Sequence, residues 1–346
     1  MRIAGIRHAV PTRRITNEWI IQTIRRSNQG RLTADQLAVL DQRLRAYLAA
    51  AGTKVRYYLN EGEKAIDFVR QAGHDALQEA DVSPTSVDFL IYTGVGRGWV
   101  EPAMASVVQA ELRLGNATCF DISDACAGWM RALQVAHSLI HANTYRCGMI
   151  VNCECGLYDS YGDWELDDVR ELEYRFAGLT IGEAATATIV SDENPNDDFY
   201  FNFKTYGEHL ALCMIPLPGV EKFLSGTIDE YCVPGKFFTR SRALVGTTVG
   251  KIVESFTSDQ RLGGQKYDII FGHEASEKAS EEVGRRLDLP YDRYFSTHRY
   301  YGNTVSASIP LGMSLALKEN RLKRGDKVLT IVGSAGITVG FATFTF

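Results

Sequence analysis

A cysteine stands at a predicted strand-to-helix turn in the stretch FDISDACAGWMRALQVAHSLI, residues 120–140. The neighbours of Cys126 are Ala125, Ala127 and Gly128, and such small residues let a substrate approach the backbone closely. A helix N-terminus also stabilises a thiolate through its dipole and its free N–H groups. These features favour a nucleophilic thiol, whereas the ordinary alternative for a single cysteine is a small buried core residue.

Two polar residues further along the chain stand at comparable places. His273 directly follows the apolar run YDIIFG, at the end of a predicted strand. Asn303 stands in YGNTVSAS, at a predicted turn, where its amide can donate a hydrogen bond to a substrate carbonyl. Neutral donors at such a place stabilise a developing enolate or oxyanion. A structural histidine and a helix N-cap asparagine are the alternatives.

The loop GSAGIT, residues 333–338, is either a simple tight turn or a source of backbone N–H groups. In the second case, the N–H group of Ala335 or Gly336 and that of Cys126 would form an oxyanion hole. The loop lacks the G-x-G-x-x-G and G-K-[ST] patterns that phosphate binding requires. The sequence therefore gives no sign of a nucleotide cofactor.

The composition is typical of a soluble globular protein, with 346 residues, 45% hydrophobic and 23% charged, and a formal net charge of −5. No basic stripe is present, which argues against a nucleic-acid partner. No apolar run approaches membrane length and no signal-peptide pattern begins the chain, so we expect a cytoplasmic protein without a membrane span. The seven cysteines form no C-x-x-C pair, and Cys153-Glu-Cys155 is the nearest approach to a metal motif, so we expect no metal site.

Helical and strand patterns alternate along the chain. The clearest amphipathic helix covers residues 33–50, with Thr33 and Gln36 as a capping box, and residues 64–79 have the same pattern. Short apolar runs then alternate with helical stretches, as in VDFLIYTGV, ATCFDIS, CGMIVNCE and TATIVS. This alternation predicts an α/β fold with a largely buried sheet.

The order of strands and turns occurs twice, at an offset of about 180 residues. The matching pairs are Asp88 with Asp268, Cys126 with Asn303, and Met149 with Leu329. The polar stretch SDENPNDD, residues 191–198, predicts an N-terminal half at residues 1–192 and a C-terminal half at residues 193–346. Ligands of open α/β sheets bind beyond the carboxyl ends of the strands, so Cys126, His273 and Asn303 are expected to meet in one pocket.

At these residues the sequence resembles the thiolase superfamily, specifically its β-ketoacyl-acyl carrier protein synthase III branch. The matching motifs span nearly the whole chain in family order. They are DISDACAG around Cys126, IGEAATA before the central break, GHEAS at His273, GNTVSASIP at Asn303 and the terminal GSAGITVG. The resemblance implies the five-layered αβαβα thiolase fold, built from two duplicated halves, and a homodimer.

The resemblance further implies a ketosynthase of fatty acid, polyketide or secondary metabolism that needs no cofactor. Cys126 would take an acyl group from an acyl carrier protein or coenzyme A thioester. His273 and Asn303 would then stabilise the carbanion or enolate of a second thioester, which attacks the acyl group in a Claisen condensation. The backbone N–H groups of Cys126 and Ala335 would hold the tetrahedral oxyanion.

Four residues are candidates for contact with the substrate. GTKVRYY places Lys54 where the family usually has an arginine that contacts the nucleotide end of the donor, and Arg175 is a second candidate contact. The packing of Trp99 and Trp129 would help to set the depth of the acyl tunnel. The chain also departs from the family at His273, where HEAS replaces the common HQAN.

The segment YTGVGRGWVEPAMA, residues 92–105, differs from chain-initiating synthases, which read roughly T-x-T-P-x-x-x-x-P-S here. It looks more like the segment of synthases that join two long acyl chains, in which a matching glutamate is proposed to reach across the dimer and act as base. Glu101 is the candidate for that role, since a carboxyl group near an apolar tunnel has a raised pKa. The alternative is a structural contact between Glu101 and Arg97.

The leading hypothesis is therefore an acyltransferase that loads an acyl chain on Cys126 and condenses it with a second thioester. Within it, a chain-initiating reaction would use a malonyl donor, whereas a chain-joining reaction would need Glu101. Acyl transfer to an oxygen or nitrogen nucleophile is a further alternative. The alternative from another class is a non-catalytic partner subunit that retains the fold.

Overall fold

The computed structural model describes residues 1–162, 164–193, 195, 198–226 and 228–346. The strands in this part of the chain are β1 (Arg2–Ala9), β2 (Arg13–Thr16), β3 (Val55–Tyr58), β4 (Phe89–Tyr92), β5 (Thr118–Asp121), β6 (Cys147–Cys153), β7 (Ala185–Ser191), β8 (Tyr200–Thr205), β9 (Cys213–Met214), β10 (Phe238–Thr239), β11 (Ile269–Gly272), β12 (Lys327–Ser334) and β13 (Thr338–Thr345). The α-helices are α1 (Asn17–Ser27), α2 (Ala34–Ala51), α3 (Ala65–Ala80), α4 (Met104–Glu111), α5 (Gly128–His141), α6 (Leu157–Tyr161), α7 (Leu172–Arg175), α8 (Ser241–Thr257), α9 (Glu277–Arg286), α10 (His298–Tyr301) and α11 (Ser308–Lys318). Short 3-10 helices cover Pro84–Ser86, Ala125–Ala127, Val169–Glu171, Phe176–Thr180, Gly207–Leu212, Val220–Lys222, Tyr291–Arg293 and Val305–Ala307.

Two large sheets share one topology. The strand order is β1-β7-β6-β4-β5 in the first sheet and β8-β13-β12-β11 in the second. In each sheet a parallel pair, β4 with β6 or β11 with β12, is extended by two antiparallel strands. The counterpart of β5 in the second sheet is a parallel bridge between Ile270 and Tyr294. The duplicated architecture that the repeated sequence order predicts is therefore confirmed.

The alternation of side chains along β4 shows how the layers form. Phe89 and Ile91 pack on a central layer that contains α5 and α11, whereas Leu90 and Tyr92 pack on an outer layer of α3 and α4. The second sheet covers the other side of the central layer, and α8 and α9 cover its outer face. The order of layers is thus αβαβα, as expected.

Both helices that the sequence predicts most clearly are present. The Thr33 hydroxyl accepts the Gln36 N–H group at 3.3 Å, and the Gln36 side chain accepts the Thr33 N–H group at 2.9 Å, so α2 begins with the predicted capping box. It ends at Gly52, whose φ of 85° suits glycine. The pattern over residues 64–79 corresponds to α3.

Matching residues of the two halves make matching contacts. The Asp88 carboxylate accepts the Cys147 N–H group at 2.9 Å, and the Asp268 carboxylate accepts the Lys327 N–H group at the same distance. Each aspartate therefore ties the start of a buried strand to the start of its parallel neighbour.

The predicted break at residues 191–198 lies between β7, in the first sheet, and β8, in the second. Asn194, Asn196 and Asp197 of this stretch lie outside the described residues. The division at residues 192 and 193 stays a prediction.

Candidate active site

Cys126 lies in a 3-10 turn between β5 and α5. Ala125, which begins this turn, has a φ of 42°, and Val305, which begins the matching turn before α11, has a φ of 50°. Gly128 then starts α5 against Thr93, and a Cβ atom on Gly128 would lie 2.1 Å from Thr93 Oγ1. The small residues around the cysteine therefore let the N-terminus of α5 lie directly on the end of β4.

Asn303 is held by backbone hydrogen bonds on both sides. Its N–H group donates to the Thr180 carbonyl at 2.8 Å, and its carbonyl accepts the Gly182 N–H group at 3.0 Å. Its side-chain Oδ1 accepts the Val305 N–H group at 2.9 Å. The amide nitrogen, which has no acceptor among the described residues, is therefore the part of the side chain left to donate to a substrate.

His273 follows β11, and its N–H group donates to the Ile331 carbonyl at 2.9 Å. Ring atom Nδ1 lies 3.3 Å from the Ser308 hydroxyl, so Nε2 is the nitrogen left for a ligand. Burial, together with nearby His298, lowers the pKa of His273 to about 4. The imidazole is therefore neutral at pH 7 and able to accept a proton.

A cavity of about 360 Å³ brings the three predicted catalytic side chains together. Cys126, His273 and Asn303 all line it, with Ala335 beside them. The rest of its wall is mostly apolar and includes Leu157, Ile181, Met214, Phe237, Val249 and Ile252. Such a cavity, apolar with a few convergent polar groups, suits a ligand with a hydrocarbon part and one reactive polar end.

Burial dominates the electrostatics of the Cys126 thiol. Removal from water raises the pKa of Cys126, and the neighbouring Cys213 and Glu154 raise it further. The backbone N–H groups of Cys126 and Ala335 act in the opposite direction, because they stabilise the thiolate. The resting group is therefore a neutral thiol, and the thiolate stabilisation expected from the helix N-terminus does not offset the cost of burial.

The two glycine-loop residues predicted for the oxyanion hole differ in position. Ala335 lines the cavity beside Cys126, whereas Gly336 is not among the lining residues. At Gly336 the chain turns, with a φ of 123°, and Ile337 then pairs with Tyr206. The N–H group of Ala335, rather than that of Gly336, is thus the one beside the sulfur.

Glu101 and Trp99 lie outside the cavity, on an exposed segment before α4. Trp99 is 39% exposed, and its indole N–H group donates to the Pro102 carbonyl at 2.8 Å. Glu101 is exposed and forms no ion pair within the described part of the chain. Arg97 lies 3.9 Å from the Asp121 carboxylate, and no ion pair joins Arg97 to Glu101 within the described residues.

The other predicted substrate contacts are also separate from the cavity wall. Lys54 is exposed, and Arg175 is buried with a hydrogen bond to the Tyr231 carbonyl at 2.8 Å. Trp129 is 1% exposed, and its indole N–H group donates to the Thr188 hydroxyl at 3.0 Å. The structure corrects the expectation for Trp129, because its ring faces the central core between the sheets.

Three groups near the site are absent from the sequence-based candidates. Cys213 lines the cavity, while Glu154 and Glu274 are buried carboxyl groups. Burial raises the pKa of each of these two glutamates to about 7. Glu154 ends CGMIVNCE and Glu274 follows His273. Their positions at the ends of predicted strands, the feature that selected His273, could have identified both glutamates.

Within the described residues, no group of three or more His, Cys, Asp or Glu side chains is arranged to hold a metal ion. All seven cysteines are free thiols. No helix in the same residues combines the length and apolar character that crossing a membrane requires.

Two family models match the chain. The model of 3-oxoacyl-[acyl-carrier-protein (ACP)] synthase III matches residues 120–207, which contain Cys126. The model of the C-terminal part of 3-oxoacyl-[acyl-carrier-protein (ACP)] synthase III matches residues 258–346, which contain His273 and Asn303.

Proteins that are similar to this chain over most of its length are also described as synthase III. A β-ketoacyl-[acyl-carrier-protein] synthase III of Rhizorhabdus wittichii is 23% identical over 344 residues, 99% of this chain and 98% of that protein. The protein of the same name from Aliarcobacter butzleri is 28% identical over 301 residues, 85% of this chain and 87% of that protein.

Solved structures share the fold over the whole chain. The 3-oxoacyl-[acyl-carrier-protein] synthase III of Aquifex aeolicus VF5 has a TM-score of 0.81 at 24% identity, covering 100% of this chain and 99% of that one. OleA of Xanthomonas campestris with bound lauric acid and lauroyl-CoA has a TM-score of 0.80 at 21% identity, covering 99% of this chain and 98% of that one. The expected fold is therefore confirmed.

Proposed function

Because the chain belongs to the 3-oxoacyl-[acyl-carrier-protein] synthase III family of thiolase-fold acyltransferases, we propose that it loads an acyl chain on Cys126 and condenses it with a second acyl thioester. The observation that carries this proposal is the meeting of Cys126, His273 and Asn303 in one apolar cavity. The protein would act as a cytoplasmic homodimer on acyl carrier protein or coenzyme A thioesters, without a cofactor.

In the first half-reaction, the Cys126 sulfur attacks the thioester carbonyl of the donor. A new S–C bond forms at Cys126, the C–S bond of the donor breaks, and the thiol proton passes through His273 to the leaving thiolate. The lowered pKa of His273, about 4, favours onward transfer of this proton. The N–H groups of Cys126 and Ala335 stabilise the oxyanion between these steps.

In the second half-reaction, the α-carbon of the second thioester first loses its carboxylate as carbon dioxide in chain initiation, or a proton to Glu101 in chain joining. The resulting enolate then attacks the acyl group on Cys126. The Asn303 amide donates to the enolate oxygen, and the Val305 N–H group keeps that amide in the required orientation. The C–C bond forms, the acyl–sulfur bond breaks, and its electron pair returns to Cys126. The sulfur then regains a proton, from solvent in chain initiation or from the protonated Glu101 in chain joining.

A chain-joining reaction is the second candidate, and the position of Glu101 favours it. Strand β5 is the edge of the first sheet, paired with β4 alone among the described strands. Asp121, at the end of β5, accepts the N–H groups of Met104 and Ala105 at 2.9 Å each, so the exposed segment that carries Glu101 lies beside this edge. Pairing of two β5 edges would bring each Glu101 toward the partner subunit.

A long acyl chain is the substrate class that the cavity favours. The volume of about 360 Å³ lies in the range of small-molecule sites, and the apolar wall would bury methylene groups. The OleA structure with lauroyl-CoA offers an example of a long-chain thioester in a protein of the same fold.

The test incubates the protein with long-chain acyl-CoA, with and without malonyl-[acyl-carrier-protein], and identifies the products by mass spectrometry. Chain initiation predicts carbon dioxide release that Glu101→Gln leaves unchanged. Chain joining predicts a product without the malonyl donor, which Glu101→Gln abolishes and Glu101→Asp partly restores. A wild-type protein that gives no more product than Cys126→Ala under either condition would refute the proposal.

A further inference from the structure

A fully buried carboxyl group lies beside Cys126 and has no part in the reaction described above. Glu154 directly follows β6 and is 0% exposed. Its Oε2 accepts the N–H groups of Val95 and Gly96, each at 3.1 Å. Its Oε1 accepts the Ser306 N–H group at 3.3 Å and also the Ser306 hydroxyl. Neutral donors thus surround this carboxylate, and it has no ion pair within the described residues.

The two oxygens of Glu154 join two separate parts of the site. Val95 is half-buried and Gly96 is buried, and they lead into the exposed residues 98–102, which include Glu101. Ser306 lies in the 3-10 turn whose first N–H group, that of Val305, holds the Asn303 side chain. The Glu154 side chain therefore connects Val95 and Gly96, which precede Glu101, to the turn that holds the Asn303 amide.

The internal repeat allows Glu154 to be compared with its counterpart in the other half of the chain. Ser306 stands 180 residues after Cys126, and Ser334 stands 180 residues after Glu154. The Ser334 hydroxyl donates to the Asp124 carbonyl at 3.0 Å, which ties the terminal loop to the Cys126 turn. A hydroxyl therefore suffices for the equivalent tie in the other half. Burial of a carboxylate costs free energy, and Glu154 accepts hydrogen bonds from four donor groups where a single hydroxyl serves in the other half. This difference indicates a function for Glu154 beyond holding the two segments together.

We propose, building on the proposed function, that Glu154 is a positioning residue for the condensation step. Its carboxylate fixes the Asn303 turn to Val95 and Gly96, so that the amide donor stays aligned with the enolate. Acylation of Cys126 relies instead on the N–H groups of Cys126 and Ala335, which Glu154 does not hold. The two half-reactions should therefore differ in their dependence on Glu154.

The pH dependence of the condensation rate should also reflect the ionisation of Glu154. Burial raises the pKa of Glu154 to about 7, and the ionised form is the one that accepts all of its hydrogen bonds. Condensation should therefore increase as pH rises through the region near 7. The titratable groups that interact with this carboxyl group are the thiols of Cys126 and Cys155 and the phenols of Tyr92 and Tyr161. The pKa of each of these groups is raised, so they stay neutral in that region.

The experiment compares wild type with Glu154→Gln and, as a control, Glu79→Gln. Glu79 accepts the Ile6 N–H group at 2.7 Å on the outer helix layer, so its variant alters a half-buried carboxylate away from the cavity. Acylation is followed by intact mass after rapid quenching, and condensation is followed by product release from preformed acyl-enzyme. A displacement of about 1 Å at a reacting group costs up to about 100-fold in rate.

In Glu154→Gln, condensation should fall by about 10- to 100-fold with an unchanged KM. Acylation should not fall, because loss of this carboxylate removes one cause of the raised pKa of Cys126. The increase near pH 7 should disappear, and Ser306→Ala, which retains the backbone bond, should show a smaller loss. Equal losses in both half-reactions, an unchanged condensation rate, or the same loss in Glu79→Gln would overturn the proposal. A wild-type protein that forms no acyl adduct would instead refute the proposed function.

Discussion

Replacement of Glu274 by glutamine should make the stability of the protein less sensitive to alkaline pH. Glu274 is 3% exposed, and its Oε2 accepts three hydrogen bonds. These come from the Ser296 hydroxyl at 2.8 Å and from the N–H groups of Thr297 and His298 at 3.0 and 3.2 Å. Because all three reach one oxygen, the carbonyl oxygen of a glutamine can accept them all.

Burial raises the pKa of Glu274 from 4.5 to about 7. Between these values the folded protein keeps a proton that the unfolded chain has lost, so stability falls as pH rises through this window. The full cost to the free energy of unfolding is about 3 kcal/mol above the folded-state pKa. Glutamine does not titrate, so the stability of Glu274→Gln relative to wild type should rise by about 3 kcal/mol from pH 4.5 to pH 8.

Urea unfolding of both proteins at these two pH values measures the change. Glu61→Gln is the matched control, since this glutamate is exposed. Its stability relative to wild type should be nearly the same at both pH values. A difference for Glu274→Gln that is constant with pH, or that decreases toward pH 8, would refute the electrostatic reasoning.

Three further substitutions separate chemistry from packing. Asn303→Asp keeps the oxygen that accepts the Val305 N–H group but loses the amide donor. Condensation should therefore fall about 100- to 1000-fold while acylation changes little, as measured by quenched-flow mass spectrometry. Equal losses in the two half-reactions would contradict this. Gly128→Ala places a Cβ atom 2.1 Å from Thr93 Oγ1 and should lower the free energy of unfolding by about 1–3 kcal/mol, whereas a wild-type urea midpoint would argue against the contact. Trp129→Phe loses the hydrogen bond to Thr188 and should cost about 1–3 kcal/mol of stability with the KM for the acyl donor unchanged; a raised KM would mean that the ring does contact substrate.

Positions at the ends of predicted strands, together with the internal repeat, were sufficient to identify the residues that meet in the cavity. Cys126, His273 and Asn303 each follow or adjoin a short apolar strand, and parallel strands bring such positions to one edge. Local signals also predicted α2 with its capping box, because Thr33 and Gln36 act within one helical turn.

Contacts between distant segments could not be predicted in this way. The Glu154 carboxylate bonds to Gly96 and Ser306, which are 58 and 152 residues away, and no local pattern specifies those partners. Trp129 occupies the first turn of α5 close to Cys126, but the direction of its side chain depends on the packing of both sheets. In GTKVRYY two basic residues look alike, yet Arg56 is 0% exposed and Lys54 lies on the surface.

Acylation of Cys126 is tested most directly by the mass of the protein after incubation with a panel of acyl-CoA and acyl-[acyl-carrier-protein] thioesters. One added acyl group is expected for each chain, located on Cys126 by peptide mapping and absent from Cys126→Ala. No adduct on the wild-type protein, or an adduct that persists in Cys126→Ala, would contradict it.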